Sequence, residues 1–206
     1  YISIPIAIFM AVMAPDVVNA LFGYGKGSKS DPQALIHCLQ LFCIGIPAWC
    51  LHPILMRGYF AMQMTVKPIV LGTLTTVLFI LLSLAFIATP MAYLGLPLAS
   101  SVSAIFLACI MTFTLKKDAG GLEIRPIVKA LDQCLIAGVV MTAVLVGLSL
   151  IWAPAQAHGS HVASFARLII YGLLGSWAYI AITKLMKMPE ASTIDRALNK
   201  VRRKKA

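Results

Sequence analysis

Six long apolar stretches, separated by short polar segments, dominate the sequence. They cover residues 2–22, 35–56, 68–89, 93–115, 127–152 and 163–186. Each is long enough for a membrane-spanning helix, which needs about 20 apolar residues. The apolar residues are continuous and do not alternate with polar ones, which favours helices over the strands of a membrane barrel. The pattern therefore predicts an all-α, polytopic membrane protein with six transmembrane helices.

The composition supports a membrane protein. Of the 206 residues, 60% are hydrophobic and only 12% are charged, whereas soluble domains average about 45–50% and about 25%. A soluble fold of this length has too little interior to bury so many apolar side chains. A soluble globular domain and a disordered chain are both excluded.

The distribution of lysine and arginine predicts the orientation, because cytoplasmic loops retain these residues. If the chain starts on the inside, 14 of its 17 basic residues lie on the cytoplasmic side and three lie outside. We therefore expect the C-terminus in the cytoplasm. The net charge of +10 then reflects membrane topology, and no nucleic-acid partner is predicted.

The basic segment 187–206 differs from the rest of the chain. Ile194, Leu198 and Val201 recur at helical spacing, which is consistent with an amphipathic helix on anionic lipids of the inner leaflet. A solvated, disordered tail is the alternative. Both interpretations stay open at this stage.

Four residues inside the spans are candidates for hinges or intramembrane polar sites. Pro47 and Pro53 predict a kink or break in the second span, because an interior proline removes a helical hydrogen bond. Asp16 and His52 lie deep in their spans, and ionisable groups in hydrocarbon usually face protein or a watery cavity. For Asp16 and for His52, a role in transport and a structural hydrogen bond are the two alternative interpretations.

Ala99 and Ser103 form a small-xxx-small pair in the fourth span. Such pairs let two helices approach closely. We expect this face to pack tightly against a neighbouring helix and to have no chemical role.

Catalytic chemistry has little support in the sequence. The seven acidic residues form no paired-carboxylate arrangement, and no Ser/His/Asp or Cys/His set can be assembled. The five cysteines lie in apolar runs without a CxxC pair, so neither a disulfide framework nor a zinc site is expected. We predict no cofactor, no metal site and no enzymatic activity.

Several segments resemble the MurJ/MviN family of lipid II flippases, a branch of the multidrug/oligosaccharidyl-lipid/polysaccharide exporter superfamily. The motifs that carry the resemblance are Pro5, Ala14-Pro15, residues 21–26, Gly45-Ile46-Pro47-Ala48, Arg57-Gly58-Tyr59-Phe60-Ala61, Gln63, Thr65, Pro68 and residues 94–104. Two departures from the family pattern are Met64, which replaces an aspartate, and Lys67, which replaces a threonine. The motif match covers roughly residues 1–115.

The resemblance implies that this chain is the C-terminal part of a fourteen-helix, two-lobed protein, with helices nine to fourteen. Residues 1–115 would then be four helices of the C-lobe, and residues 116–186 two additional helices that border a hydrophobic groove for the lipid tail. Residues 187–206 would be the basic cytoplasmic tail. The N-terminal helices of the same protein would be a partner of this part.

The resemblance also implies a function, namely translocation of lipid II, or a related polyprenyl-diphosphate glycolipid, across the bacterial cytoplasmic membrane by alternating access. Arg57 and Lys67 are the candidates for contact with phosphate near the inner mouth of the cavity. An exporter of another polysaccharide-lipid or of drugs is one alternative. A membrane scaffold that retains the fold without transport is the other.

Overall fold

The computed structural model describes residues 1–22, 32–89, 92–120, 125–151 and 161–186. Within these ranges the chain is helical and has no strand. The helices are α1 (Ser3–Val12), α2 (Ala14–Phe22), α3 (Pro32–Ala61), α4 (Val66–Ile87), α5 (Ala92–Asp118), α6 (Arg125–Ile151) and α7 (His161–Leu185). The prediction for the tail at 187–206 lies outside the described residues.

The helices confirm the predicted spans. Five of them, α3 to α7, are long and apolar enough to cross a membrane, and α1 and α2 together provide a sixth, bent span. The helix α3 is longer than predicted, since 30 residues extend for about 45 Å against a hydrocarbon core of about 30 Å. The all-α, polytopic fold is therefore as the apolar pattern predicts.

The helices pack as two groups that the first span connects. Helix α3 packs on α5, and α4 packs mainly on α5. Helices α6 and α7 pack on each other, while α1 contacts both α3 and α6, and α2 contacts both α3 and α7. Among the described residues, α4 and α5 make no contact with α6 or α7.

Small residues allow α3 and α5 to approach closely. A Cβ atom added to Gly45 of α3 would lie 2.9 Å from Ser101 Oγ and 3.1 Å from Ser101 Cα. Ser101 donates a hydrogen bond of 2.6 Å to the carbonyl of Leu41 across this contact. Ala99 and Ser103 are also buried, as the sequence predicts, although Ser103 lines a cavity next to this contact.

The first span is broken, although its apolar pattern predicts one continuous helix. Helices α1 and α2 meet at an angle of 76°. Pro15 lies directly after the break and has no backbone N–H, so the carbonyl of Ala11 loses its partner four residues on. Gln40 of α3 supplies one instead, because its Nε2 donates to the Ala11 oxygen at 3.2 Å.

A second proline follows the same rule. Pro97 lies inside α5 and leaves the carbonyl of Tyr93 without its helical donor. The thiol of Cys38, also on α3, donates to that oxygen at 3.6 Å. Side chains of α3 therefore compensate for prolines in both neighbouring spans, as buried backbone groups in a membrane require.

Of the kink or break predicted for α3, the break is wrong. Pro47 and Pro53 lie inside a helix that continues without interruption from Pro32 to Ala61. The long contact of α3 with α5 supports the helix across both prolines, and each removes only one hydrogen bond. The break lies in the first span instead. Pro15 leaves a carbonyl there without its helical donor, and a side chain of α3 donates a hydrogen bond to that carbonyl.

A second core forms where the first span meets α6 and α7. Met13, at the break, packs with buried residues of both helices, namely Ala137, Met141, Leu145, Tyr171 and Tyr179. Tyr179 also donates a hydrogen bond of 3.0 Å to the backbone oxygen of Tyr1. The bend therefore places the break inside this core.

Gly45→Ala tests the close contact of α3 and α5. The added methyl group meets the backbone of Ser101, so we expect a loss of about 1–3 kcal/mol in the free energy of unfolding. Gly72→Ala is the matched control, because nothing lies within 4 Å of its added Cβ, and it should be neutral or stabilising by up to about 1 kcal/mol. Unfolding in mixed micelles measures both, and equal effects would contradict the packing.

A double-mutant cycle tests the role of Gln40 at the bend. Gln40→Leu leaves the Ala11 carbonyl unsatisfied and should cost about 1–3 kcal/mol in the free energy of unfolding. Pro15→Ala restores an N–H at position 15, so the cost of Gln40→Leu should fall in that background. Gln133→Leu, a half-buried amide of α6, is the control. Strictly additive effects of the two substitutions would contradict the link between Pro15 and Gln40.

Candidate functional site

A groove of about 540 Å³ lies between α1 and α7, with Met141 of α6 also lining it. We call it the lateral groove. Its walls are almost entirely apolar, and its lining residues are Tyr1, Ile2, Pro5, Ile6, Phe9, Met141, Leu168, Ile169, Gly172, Leu173, Ser176, Tyr179 and Ile180. Its volume lies in the range of known small-molecule sites.

The few polar groups that line the lateral groove have partners within the protein. Ser176 Oγ donates to the Gly172 carbonyl at 2.6 Å, and the hydroxyls of Tyr1 and Thr183 are 2.7 Å apart. The hydroxyl of Tyr179 donates to Tyr1. The lateral groove therefore offers hydrocarbon contact with little demand for hydrogen bonds, which suits an apolar chain.

A tight turn joins α3 to α4 and positions Lys67. Gln63 adopts a left-handed backbone with φ 58°, Met64 N–H donates to the Tyr59 carbonyl at 3.0 Å and Gln63 N–H to Phe60 at 3.0 Å. This pattern is a Schellman motif, which usually adds an apolar contact between its ends. Met64 makes that contact, since it packs against the cluster of Leu55, Tyr59 and Met111.

The packing accounts for Met64 as a departure from the family pattern. An aspartate at this position could not join the apolar cluster around Tyr59. The cluster is anchored to α5, because the hydroxyl of Tyr59 donates to the Met111 carbonyl at 2.9 Å. The end of α3 and the end of α5 are therefore held together.

Charged residues gather near the turn from α3 to α4 and the end of α5. We call this region the basic end, and it comprises Arg57, Lys67, Lys116, Lys117 and Asp118. Lys67 Nζ is 2.7 Å from Asp118 Oδ1, in an ion pair between the start of α4 and the end of α5. The side chain of Arg57 is exposed and has no ion pair or hydrogen bond with another described residue. The two predicted phosphate-binding residues thus differ: Lys67 is paired, and Arg57 is available.

Asp16 lies at the break between α1 and α2. Its side chain is partly buried and lies within electrostatic range of Arg167 on α7. The pair links α2 to α7, which also pack on each other. Two prolines are predicted to act as hinges in α3. Pro47 is partly buried and Pro53 is exposed, and neither interrupts the helix.

His52 lines a second, smaller cavity of about 220 Å³ between α3, α4 and α5, which we call the His52 cavity. Its other lining residues are Ala48, Trp49, Thr76, Phe79, Ser100, Ser103, Ala104 and Leu107. The described side chains contain no group of three or more His, Cys, Asp or Glu residues placed to hold a metal ion.

The sequence pattern did not predict Gln40 and Cys38 as donors. The signal in the sequence is an amide and a thiol within an apolar span. Pro15 and Pro97 in other spans each leave a carbonyl that needs such a donor. It also missed Asp118, the partner of Lys67, which lies 51 residues away along the chain. Only the fold shows which of these residues meet.

The arrangement of the helices agrees with a comparison to known structures. A solved structure titled lipid II flippase MurJ, inward closed conformation, superposes with a TM-score of 0.70 at 16% sequence identity. The match covers 89% of this chain and 36% of that chain. Because the sequence identity is low, the likeness supports the fold alone. No curated protein sequence matches the chain.

The sequence itself matches a family. The family model described as lipid II flippase MurJ covers residues 1–167, which includes α1 to α6, the His52 cavity, the basic end and the α1 side of the lateral groove. The match extends beyond the roughly 115 residues on which the sequence motifs rest. The chain therefore belongs to the MurJ family of lipid II flippases, a family of inner-membrane transporters.

Proposed function

We propose that this chain is part of a transporter that moves lipid II from the inner to the outer leaflet of the bacterial cytoplasmic membrane. The observation that carries the proposal is the family match over residues 1–167. The lateral groove supports it, because a lipid-linked substrate needs an apolar path beside its polar one. Ion gradients or the membrane potential would drive transport, and the protein would not act as an enzyme.

The lateral groove is the proposed site of the polyprenyl tail. Its walls come from α1 and α7, and their polar groups are hydrogen-bonded within the protein. An isoprenoid chain in the lateral groove would therefore break no hydrogen bond of the protein. Burial of apolar surface contributes about 25 cal/mol per Å². The tail would therefore be held by the area of contact and not by specific polar groups.

Arg57 is the proposed contact for the diphosphate at the inner mouth. An exposed guanidinium forms paired hydrogen bonds with phosphate oxygens. The charge of Lys67 is already shared with Asp118 at 2.7 Å, so its contribution would be smaller, although its exposed side chain leaves it within reach of an anion.

The working transporter would be larger than the chain described here. The matched solved structure is covered over 36% of its length, and we propose that about eight further helices complete a second lobe. Residues 1–115 would move as part of one lobe, and residues 116–186 would form the border of the lateral groove. The C-terminus and the basic tail would lie in the cytoplasm, close to anionic lipids.

Arg57→Ala tests the proposed phosphate contact. The substitution removes the unpaired guanidinium, so we expect it to reduce rescue of bacteria depleted of their lipid II flippase, with expression in the membrane unchanged. Arg57→Lys should retain part of the activity. Lys129→Ala removes an exposed positive charge from α6 and is the control. Full rescue by Arg57→Ala, equal to that of Lys129→Ala, would count against the contact.

Ser176→Trp tests the lateral groove. The indole would occupy the space between α1 and α7, so we expect rescue of the depleted strain to fall at least tenfold in plating efficiency. Ala181→Trp places the same ring on an exposed position of α7 outside the lateral groove. Similar rescue by both variants at equal protein levels would argue against a tail in this groove.

A further inference from the structure

One end of the lateral groove is closed by two tyrosines. The rings of Tyr1, before α1, and Tyr179 of α7 lie 5.4 Å apart between centroids, and the Tyr179 hydroxyl donates to the Tyr1 backbone oxygen at 3.0 Å. The Tyr1 hydroxyl is 2.7 Å from Thr183 Oγ1, and Thr183 is fully buried. We call these three residues the tyrosine bridge, because they join the start of the first span to α7.

The opposite end of the lateral groove is closed by Phe9 of α1. Its ring lies against α7, since a Cβ atom added to Gly172 would be 3.5 Å from Phe9 Cζ. Beyond Phe9, Met13 is 3% exposed and packs in a core with Leu145 and Tyr171. The span then bends, and α2 packs on α7. Because no residue of α2 lines the lateral groove, the groove ends at Phe9.

The two closed ends determine how much of an extended chain fits. The lining residues run from Tyr1 to Phe9 on the first span and from Leu168 to Ile180 on α7. At about 1.5 Å per residue, these segments are about 12 Å and about 18 Å long. An isoprene unit adds four carbon–carbon bonds of about 1.5 Å each, and it extends for about 5 Å. The lateral groove therefore has room for about three units along its length.

The tyrosine bridge lies near the end of a membrane span. Thr183 is in the last turn of α7, which ends at Leu185, and Lys184 beside it is exposed. Tyrosine and lysine are typical of the boundary between headgroups and hydrocarbon. One leaflet contributes about 15 Å to a hydrocarbon core of about 30 Å. The lateral groove, from the tyrosine bridge to Phe9, is therefore about one leaflet long.

The walls of the lateral groove favour an isoprenoid chain as its occupant. Ile6 and Leu173 are exposed along its side, so a chain can enter from the lipid and leave sideways. The hydroxyls of Tyr1, Ser176 and Tyr179 all have partners, so none requires a polar ligand. The double bond in each isoprene unit restricts rotation, so an isoprenoid loses less conformational freedom on binding than a saturated acyl chain of equal length.

We propose that the lateral groove binds only the isoprene units next to the diphosphate, about three of them, while the rest of the tail stays in the lipid. The tyrosine bridge ends the site at the level of the headgroup, and Phe9 ends it near the middle of the bilayer. Occupation by the tail rests on the proposed function, in which α7 ends in the cytoplasm. The lateral groove then holds the tail in the inner leaflet, and further isoprene units add nothing to binding there.

Photolabelling with two polyprenyl diphosphates locates the bound part of the tail. A proximal probe carries a diazirine on an isoprene unit next to the diphosphate, and a distal probe carries it near the free end of a tail several times longer than the groove. Both are added to proteoliposomes of the full-length protein, and labelled peptides are identified by mass spectrometry. We expect the proximal probe to label α1 and α7, and the distal probe to label them several-fold less. Equal labelling of both helices by the two probes would overturn the proposal.

Substitutions in the walls test the two boundaries of the site. Ser176→Trp fills the lateral groove and should abolish proximal labelling, whereas Ala181→Trp, outside the groove, should preserve it. Phe9→Ala removes the ring at the far end, so a probe with its diazirine just beyond the units that fit should gain labelling. Ile6→Ala truncates a lining residue between the two ends and should give no such gain. With proximal labelling intact, an equal result for Phe9→Ala and Ile6→Ala would overturn Phe9 as the end of the site.

Two further outcomes separate this site from its alternatives. A diazirine-labelled phospholipid that labels the lateral groove as strongly as the proximal probe, and that excess polyprenyl diphosphate does not displace, would overturn the isoprenoid as occupant. Labelling requires no translocation. A protein that binds the proximal probe in the groove but moves no lipid II therefore supports the site and contradicts the proposed function. Translocation of lipid II without proximal labelling of α1 and α7 would overturn the site alone.

Discussion

The structure depends on one constraint, which is that backbone carbonyls inside a membrane need donors from the protein. Pro15 and Pro97 each deprive a carbonyl of its helical N–H, and α3 supplies the replacement through Gln40 and Cys38. At the first of these places the span bends by 76°. The direction of α2, and with it the contact of α2 with α7, follows from that bend.

The two halves of the bent span contact different helices. Because α1 and α2 diverge at Met13, α1 contacts α3 and α6, while α2 reaches α7. Met13 is buried among residues of α6 and α7, so the break is part of a core and not a loose joint. The space between α1 and α7 is apolar, and its few polar groups have partners within the protein.

The sequence predicts the spans well because lipid imposes a simple length criterion on apolar helices. It also predicts the burial of Ala99 and Ser103, since small residues at helical spacing have a local signature. It does not predict which proline breaks a helix. That outcome depends on whether a neighbouring side chain, such as Gln40, reaches the freed carbonyl, and this is a property of the assembled fold.

The same limit applies to the candidate site. Arg57 and Lys67 look equivalent in the sequence, but a carboxylate 51 residues further along the chain pairs with Lys67, whereas Arg57 has no such partner among the described residues. The most direct test of the proposed function is translocation of fluorescent lipid II by the purified full-length protein in proteoliposomes. The account predicts transfer between leaflets that protein-free vesicles lack. A correctly inserted protein that leaves lipid II in its original leaflet would contradict it.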